Sequence, residues 1–332
     1  ITGFGRLFFF YPGNRRFMSD CVAVTGATGF IGQRICRLLH QRGWRVRALL
    51  RSPQRAQALQ SCIDEPVPGG LDDLAALRRL VSGAAAVVHC AGAVRGANRQ
   101  AFDRVNVDGV RNLLTALGAE DTPPRLLCLS SLAAREPELS FYAASKRRGE
   151  QVLEQQAGGL EWMALRPPAV YGPGDRELLP LFKLMAKGFA PLPGRADARF
   201  SMIFVDDIVA AILAWLQQEE VTSGVYSLHD GRRGGYDWTD VCDVVAKLCR
   251  RKVRPIPIPA GVLNVSARVN SRLARWFGYA PMLTPEKLRE LRHSDWVCDN
   301  DAIHNALDWQ PEVQLEEGLR RTPGWCRLIE RA

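Results

Sequence analysis

Tyr142-Ala143-Ala144-Ser145-Lys146 sets a phenol and an ammonium four residues apart, a spacing that puts both on one face of a helix. A phenol near its ordinary pKa of about 10 is a poor acid or base at neutral pH. A neighbouring cation favours the phenolate, so Lys146 is expected to lower Tyr142 toward a working range. Such a pair can protonate a carbonyl oxygen as hydride arrives at its carbon, or remove the hydroxyl proton in reverse. Lys146 could also hold the ribose of a nicotinamide. Ser130-Ser131 follows the apolar run Leu126–Leu129 and is expected to hydrogen-bond the substrate oxygen, Ser131 above all. Six tyrosines and six lysines give roughly one accidental pair at this spacing in ten such chains. Lysine usage weighs more. Of 44 basic residues 38 are arginine, and Lys146 is the only lysine before Lys183. A lysine there points to a need for a compact, tunable ammonium, which arginine cannot supply.

A second group sits upstream. Thr25-Gly26-Ala27-Thr28-Gly29-Phe30-Ile31-Gly32 joins an apolar run to a stretch of helical periodicity. Glycines permit a tight turn and let backbone approach a pyrophosphate, and the helix start adds free N–H groups and a favourable dipole. The spacing is G-x-x-G-x-x-G. An NAD site usually carries an acid at the end of the second strand to hold the ribose diol. Here that position is Arg51, with Arg47 and Arg55 nearby and no Asp or Glu between Gly32 and Asp64. A guanidinium suits a 2′-phosphate by charge and fork geometry, so NADP is expected, with NAD as the alternative.

These groups need a scaffold. Cys21–Thr25, Trp44–Leu50, Ala85–Cys90, Leu126–Leu129, Trp162–Arg166 and Val225–His229 read as strands. Ile31–Leu39, Leu74–Val81, Val105–Leu117, Tyr142–Gln156 and Val205–Gln217 read as helices, and Gly43 ends the first. Strands separated by helices predict an α/β fold with a doubly wound parallel sheet. Residues 167–200 and 255–284 are rich in Pro, Gly and apolar residues. The predicted division is therefore a nucleotide-binding domain, 18–168 plus about 203–230, and a smaller substrate-binding cap, about 169–202 plus 231–330.

Composition narrows the function classes. The 332 residues are 47% hydrophobic, enough for a sizeable core. The net charge is +9, but the arginines are scattered and lack interleaved aromatics, so no nucleic-acid partner is expected. Nine cysteines without a C-x-x-C pair read as buried thiols of a reducing cytoplasm. Five dispersed histidines predict no metal site. No apolar stretch approaches the roughly 20 residues of a membrane span, so stable membrane insertion is not expected. Residues 1–17 hold only the short apolar run Leu7–Tyr11 and read as a non-native or disordered leader, with Met18 as the natural start.

The sequence resembles the extended short-chain dehydrogenase/reductase family, also called NAD-dependent epimerase/dehydratases, from Met18 to Trp325. The likeness rests on Thr25–Gly32, Val88-His89-Cys90-Ala91-Gly92, Asn106-Val107-Asp108-Gly109, Ser130-Ser131, Tyr142–Lys146, Arg166–Gly174 and Phe204-Val205-Asp206-Asp207. The look is nearest to 3β-hydroxysteroid dehydrogenase and dihydroflavonol reductase-like members. The resemblance implies a Rossmann domain with a C-terminal cap, a homodimer, and Ser131, Tyr142 and Lys146 as the catalytic set. It implies cofactor contacts from Gly26, Thr28, Gly29, Phe30, Ile31, Gly32, Arg51, Leu71, Cys90, Ala91, Gly92, Tyr142, Lys146, Pro168 and Val170, with Pro167 also bordering the nicotinamide. Three departures matter. Gly69-Gly70-Leu71 lacks the acid that touches adenine in many members. Leu132-Ala133 replaces the Asp-Glu of sugar-nucleotide dehydratases, which counts against elimination chemistry. Phe204 stands where many epimerases have His. Arg292-His293-Ser294-Asp295 loosely resembles a diphosphate-holding Arg and Asp, or is a solvated helix end.

The expected activity is hydride transfer between a nicotinamide cofactor and a secondary alcohol or ketone of a small molecule. The segment Leu178–Met185 with Phe189, Leu192 and Met202 would supply apolar substrate surface, unless it is cap core. A sugar-nucleotide epimerase holding NAD tightly is the second reading. A non-catalytic cofactor sensor or scaffold is the third, and an intact Ser–Tyr–Lys set counts against it.

Overall fold

A computed structural model describes residues 20–277, Pro281 and 284–326; the predicted leader lies outside the described residues. In chain order the strands are β1 (Cys21–Thr25), β2 (Arg45–Leu50), β3 (Glu65–Pro68), β4 (Ala86–His89), β5 (Arg125–Leu129), β6 (Trp162–Arg166), β7 (Ala169–Tyr171), β8 (Phe189–Leu192), β9 (Arg199–Phe200), β10 (Met202–Phe204), β11 (Gly224–Ser227), β12 (Arg254–Pro257) and β13 (Asp295–Trp296). The helices are α1 (Phe30–Gln41), α2 (Leu74–Val81), α3 (Arg99–Asn106), α4 (Asp108–Leu117), α5 (Phe141–Gln156), α6 (Leu179–Ala186), α7 (Val205–Gln217), α8 (Trp238–Cys249), α9 (Ala260–Phe277), α10 (Pro285–Arg292), α11 (Asp301–Leu307) and α12 (Leu315–Arg321).

Seven strands form one parallel sheet in the order β11-β6-β5-β4-β1-β2-β3. Its central strands β1, β4, β5 and β6 are buried almost end to end because both faces are covered. Val22 and Val24 of β1 pack with Ile35 and Leu39 of α1 and Ile208 and Ile212 of α7. Ala23, between them, packs on the other face with α2, α4 and α5 through Leu77, Leu113 and Val152. Strand order reverses between β1 and β4. A doubly wound sheet opens its ligand crevice at that switch point, beyond the carboxyl ends of the strands. The glycine turn after β1 and Cys90-Ala91-Gly92 after β4 flank it.

Two elements depart from the sequence reading. The predicted helix Val105–Leu117 starts earlier, at Arg99, and breaks at Val107 (φ −115°, ψ −60°) into α3 and α4. Asn98 caps the new start, its side chain accepting from Ala101 N at 2.9 Å. β3 is absent from the periodicity reading: Glu65-Pro66-Val67-Pro68 holds two prolines. It is the edge strand, where a missing N–H costs no ladder bond.

Three two-stranded parallel ribbons, β7 with β10, β8 with β12 and β9 with β13, lie outside the main sheet. Around them a further core gathers Tyr171, Phe182, Met185, Leu192, Met202, Phe204, Val245, Leu319 and Trp325. α11 returns to the main sheet, where Ile303 and Leu307 join its core.

Candidate active site

The glycine turn is built by close approach. Gly26 has φ +70°, and a Cβ on it would lie 2.5 Å from Ala91 N. A Cβ on Gly32 would lie 2.1 Å from Gly26 O. Only glycine fits at either position. Thr28, Phe30 and Ile31 complete the turn and the start of α1, and Phe30 faces Gly174. Thr25 Oγ1 pairs with His89 Nδ1 at 2.8 Å and accepts from Ala91 N at 3.2 Å. These bonds tie the ends of β1 and β4 together across the crevice. Burial pushes His89 down to about 3, with the Lys146 charge adding to the effect, so its ring is neutral at physiological pH.

The far side of the crevice carries the candidate acid. Ser140 caps α5 by accepting from Ala143 N at 2.9 Å, which starts the helix one residue before Tyr142. Tyr142 and Lys146 then fall on one face. Ser131 lies near enough to Tyr142 to act on its phenol, and the Ser131 hydroxyl accepts from Ala133 N at 3.2 Å. Lys146 Nζ donates to Leu129 O at 2.8 Å and borders Gly92, where a Cβ would lie 3.0 Å from it. The three residues are therefore neighbours at the carboxyl ends of β4 and β5.

Their electrostatics differ from expectation. Lys146 does not lower Tyr142. Burial dominates and pushes the phenol up to about 12, with Ser131 pulling down and the Glu290 charge pushing further up. Burial also brings Lys146 down to about 8. The reason is geometric: the ammonium turns to Leu129 O, and loss of hydration outweighs its field at the phenol. Ser130 also turns away. It bonds buried Glu150, which Arg166 Nη2 holds at 2.6 Å.

The other predicted cofactor residues follow the carboxyl ends of the sheet strands. Arg51 is exposed at the end of β2, beside Gly70, and makes no hydrogen bond or ion pair among the described residues. Arg47 is committed to Glu65 at 2.6 Å, and the Arg55 side chain lies outside the described residues. Leu71 follows β3, with its carbonyl held by Asn112 Nδ2 at 2.9 Å. Cys90, Ala91 and Gly92 follow β4. Pro167, Pro168 and Val170 follow β6, and Pro167 O accepts from Leu132 N at 2.9 Å. At Gly26 and Gly32 a Cβ would strike backbone, so the turn keeps bare backbone at the start of α1, the chemistry a dinucleotide pyrophosphate needs.

Tyr142 also lines a cavity of about 240 Å³ walled by Val94, Phe102, Ser271, Ala274, Pro281, Lys287 and Glu290. Sequence reasoning missed this wall. It took Leu178–Met185, Phe189, Leu192 and Met202 as a candidate surface. Of these, Phe182, Met185, Leu192 and Met202 belong to the further core around Tyr171 and Phe189 is exposed. Asn106 was quoted only as part of a motif. It bridges Ala93 O (3.0 Å), Ala93 N (2.8 Å) and Ser145 Oγ (2.8 Å), clamping the loop after β4 to α5. The Arg292 guanidinium donates to Pro193 O and Ala260 O, both at 3.2 Å, which ties the end of α10 to two other segments.

The chain matches the model of the NAD dependent epimerase/dehydratase family over residues 22–228. It is 37% identical over 312 residues to a ceramide reductase of Caulobacter vibrioides, covering 92% of this chain and 94% of that protein. It is 27% identical to a 2-alkyl-3-oxoalkanoate reductase of Stenotrophomonas maltophilia, covering 90% and 97%. In fold it is similar to UDP-glucuronic acid 4-epimerase from Bacillus cereus, solved with UDP-glucuronic acid and NAD: TM-score 0.71, 18% identity, 94% and 99% covered.

Proposed function

This chain belongs to the NAD-dependent epimerase/dehydratase family and is an NAD(P)-dependent oxidoreductase, and on that premise we propose that it reduces a ketone on a long-chain amide lipid of the ceramide class, with NADPH as hydride donor. The observation that carries the reading is Tyr142: one phenol lies beside Ser131, shares the α5 face with Lys146, and also lines the cavity. The likeness to a ceramide reductase supports the substrate class. The cavity wall is mixed: Val94, Phe102, Ala274 and Pro281 offer apolar surface to a lipid tail, and Arg95, Lys287 and Glu290 offer charged groups to its polar amide end.

Bound NADPH supplies the hydride. Ser131 holds the carbonyl oxygen by hydrogen bond, and Tyr142 gives that oxygen its proton. Ketone, NADPH and one proton become secondary alcohol and NADP⁺. A phenol pushed up to about 12 carries its proton at neutral pH and is a weak acid there, so it gives the proton up to the strongly basic alkoxide that forms as hydride arrives. Lys146, brought down to about 8, keeps its charge at neutral pH and can hold the nicotinamide ribose. Arg51, exposed and uncommitted among the described residues beside Gly70, can meet a 2′-phosphate where NAD would need an acid.

The test is NADPH consumption with a long-chain 3-oxo amide in mixed micelles, scored beside UDP-sugars. The expected result is stoichiometric alcohol and NADP⁺ from the amide. UDP-sugar conversion without net NADPH consumption would instead assign an epimerase. In the same assay Arg51→Ala is expected to raise the KM for NADPH about tenfold and leave that for NADH within twofold. Equal effects on both would overturn the choice of NADP.

A further inference from the structure

α9 is amphipathic with its apolar stripe facing outward. Val262, Val265, Val269, Leu273 and Trp276 recur at spacings of three and four, which aligns them along one helix face. All are exposed: Val265 is 60% and Trp276 81% accessible, and Phe277, next to the stripe, is 74%. The opposite face does the packing. Leu263 and Ala267 meet Leu288 of α10, while Ser271 and Ala274 line the cavity that holds Tyr142. The stripe is thus surplus to the core. A contiguous exposed apolar face of this kind marks a docking surface.

Charge indicates the partner. The sequence from Val244 to Pro285 contains no Asp or Glu, and carries Lys247, Arg250, Arg251, Lys252, Arg254, Arg268, Arg272 and Arg275. On the wheel Arg268 and Arg272 border the valine stripe. Both are exposed, and their long aliphatic stems let the guanidinium reach headgroups while the valines stay in acyl chains. Ile256, exposed on β12 just before α9, adds apolar surface at the helix start. A basic face beside an aliphatic-aromatic face is the pattern of helices that lie in the plane of an anionic bilayer. Among the described residues no helix is long and apolar enough to cross a membrane.

We propose that α9 docks the protein peripherally on an anionic lipid surface, its outer face in the headgroup boundary and its inner face forming a wall of the catalytic cavity. At 18 residues the helix would lie about 27 Å along the surface. A lipid ketone beside it would be one helix diameter, roughly 10 Å, from the cavity. That delivery role rests on the lipid-ketone reading above. The docking rests on the helix surface alone.

The experiment is cosedimentation of the full chain with vesicles of phosphatidylglycerol and phosphatidylcholine in equal parts, and of phosphatidylcholine alone. Binding is expected on the anionic vesicles and about tenfold weaker on the neutral ones. Val265→Glu with Val269→Glu is expected to abolish it, and Arg268→Glu with Arg272→Glu to weaken it about tenfold. Trp276→Phe is expected to remove a blue shift in tryptophan emission that vesicles induce in the unsubstituted chain. Turnover of a water-soluble short-chain ketone should be unchanged in every variant. No binding to anionic vesicles overturns the proposal, as does a concentration-dependent dimer that the valine substitutions dissolve, which would make a second copy the occupant. Inactivity of the unsubstituted chain on every ketone, with vesicle binding intact, would overturn the catalytic reading and leave the docking standing.

Discussion

His89 and Lys146 illustrate how burial, more than pairing, sets the chemistry of single residues here. His89 is 2% exposed and held neutral by desolvation, with its folded pKa brought down to about 3. An unfolded His titrates near 6.5, so between these values the unfolded chain binds the extra proton. Stability is therefore complete above about pH 6.5 and falls as pH drops toward 3, at up to about 1.4 kcal/mol per pH unit. Asp207 runs the other way, because burial raises its carboxyl to about 6. Its contribution is present below about pH 4 and is lost as pH rises through 6. Comparing the intact chain with His89→Gln cancels that term. The variant is expected to show a shallower loss of stability between pH 6 and 4 in chemical denaturation, and parallel curves would remove His89 as the cause. The expectation that Lys146 acidifies Tyr142 failed for the same reason. Sequence spacing places the two groups on one face, but it cannot report how much water each loses.

At the scale of elements, the glycine turn is fixed by close backbone packing, and its proposed binding role belongs to that backbone. Ala in place of Gly32 would set its Cβ 2.1 Å from Gly26 O, against backbone that cannot rotate away. Gly32→Ala is expected to cost about 1–3 kcal/mol in stability and to weaken NADPH binding at least about tenfold. Calorimetric titration beside thermal unfolding checks both. Unchanged affinity would detach the turn from the cofactor. This turn was legible in the sequence, as were β1, α2, β6 and α7, because apolar periodicity and glycine spacing are local signals. The break at Val107 was not. It depends on Asn106 reaching Ala93 and Ser145, a contact made across the fold. β3 was hidden because its prolines are acceptable only at a sheet edge, and edges are set by topology.

Across the whole molecule, the sheet brings together residues that the sequence could only list. Gly26, Gly92, Ser131, Tyr142 and Lys146 come from four separate segments, and the order reversal between β1 and β4 gathers them at one crevice. What the sequence could not supply is the cavity wall, because its α9 and α10 residues, from Ser271 to Glu290, lie far beyond Tyr142 in the chain. The apolar segment it offered instead, Leu178–Met185, is spent mainly on a core of its own. The central claim is that Tyr142 protonates the substrate oxygen in an NADPH-dependent reduction. Single-turnover reduction of the 3-oxo amide by Tyr142→Phe, with the NADPH Kd measured on the same preparation, tests it most directly. The account predicts a Kd within twofold of the unsubstituted chain and a rate lower by about 10²–10⁴-fold. A rate within tenfold of the unsubstituted chain, at equal cofactor occupancy, would contradict it.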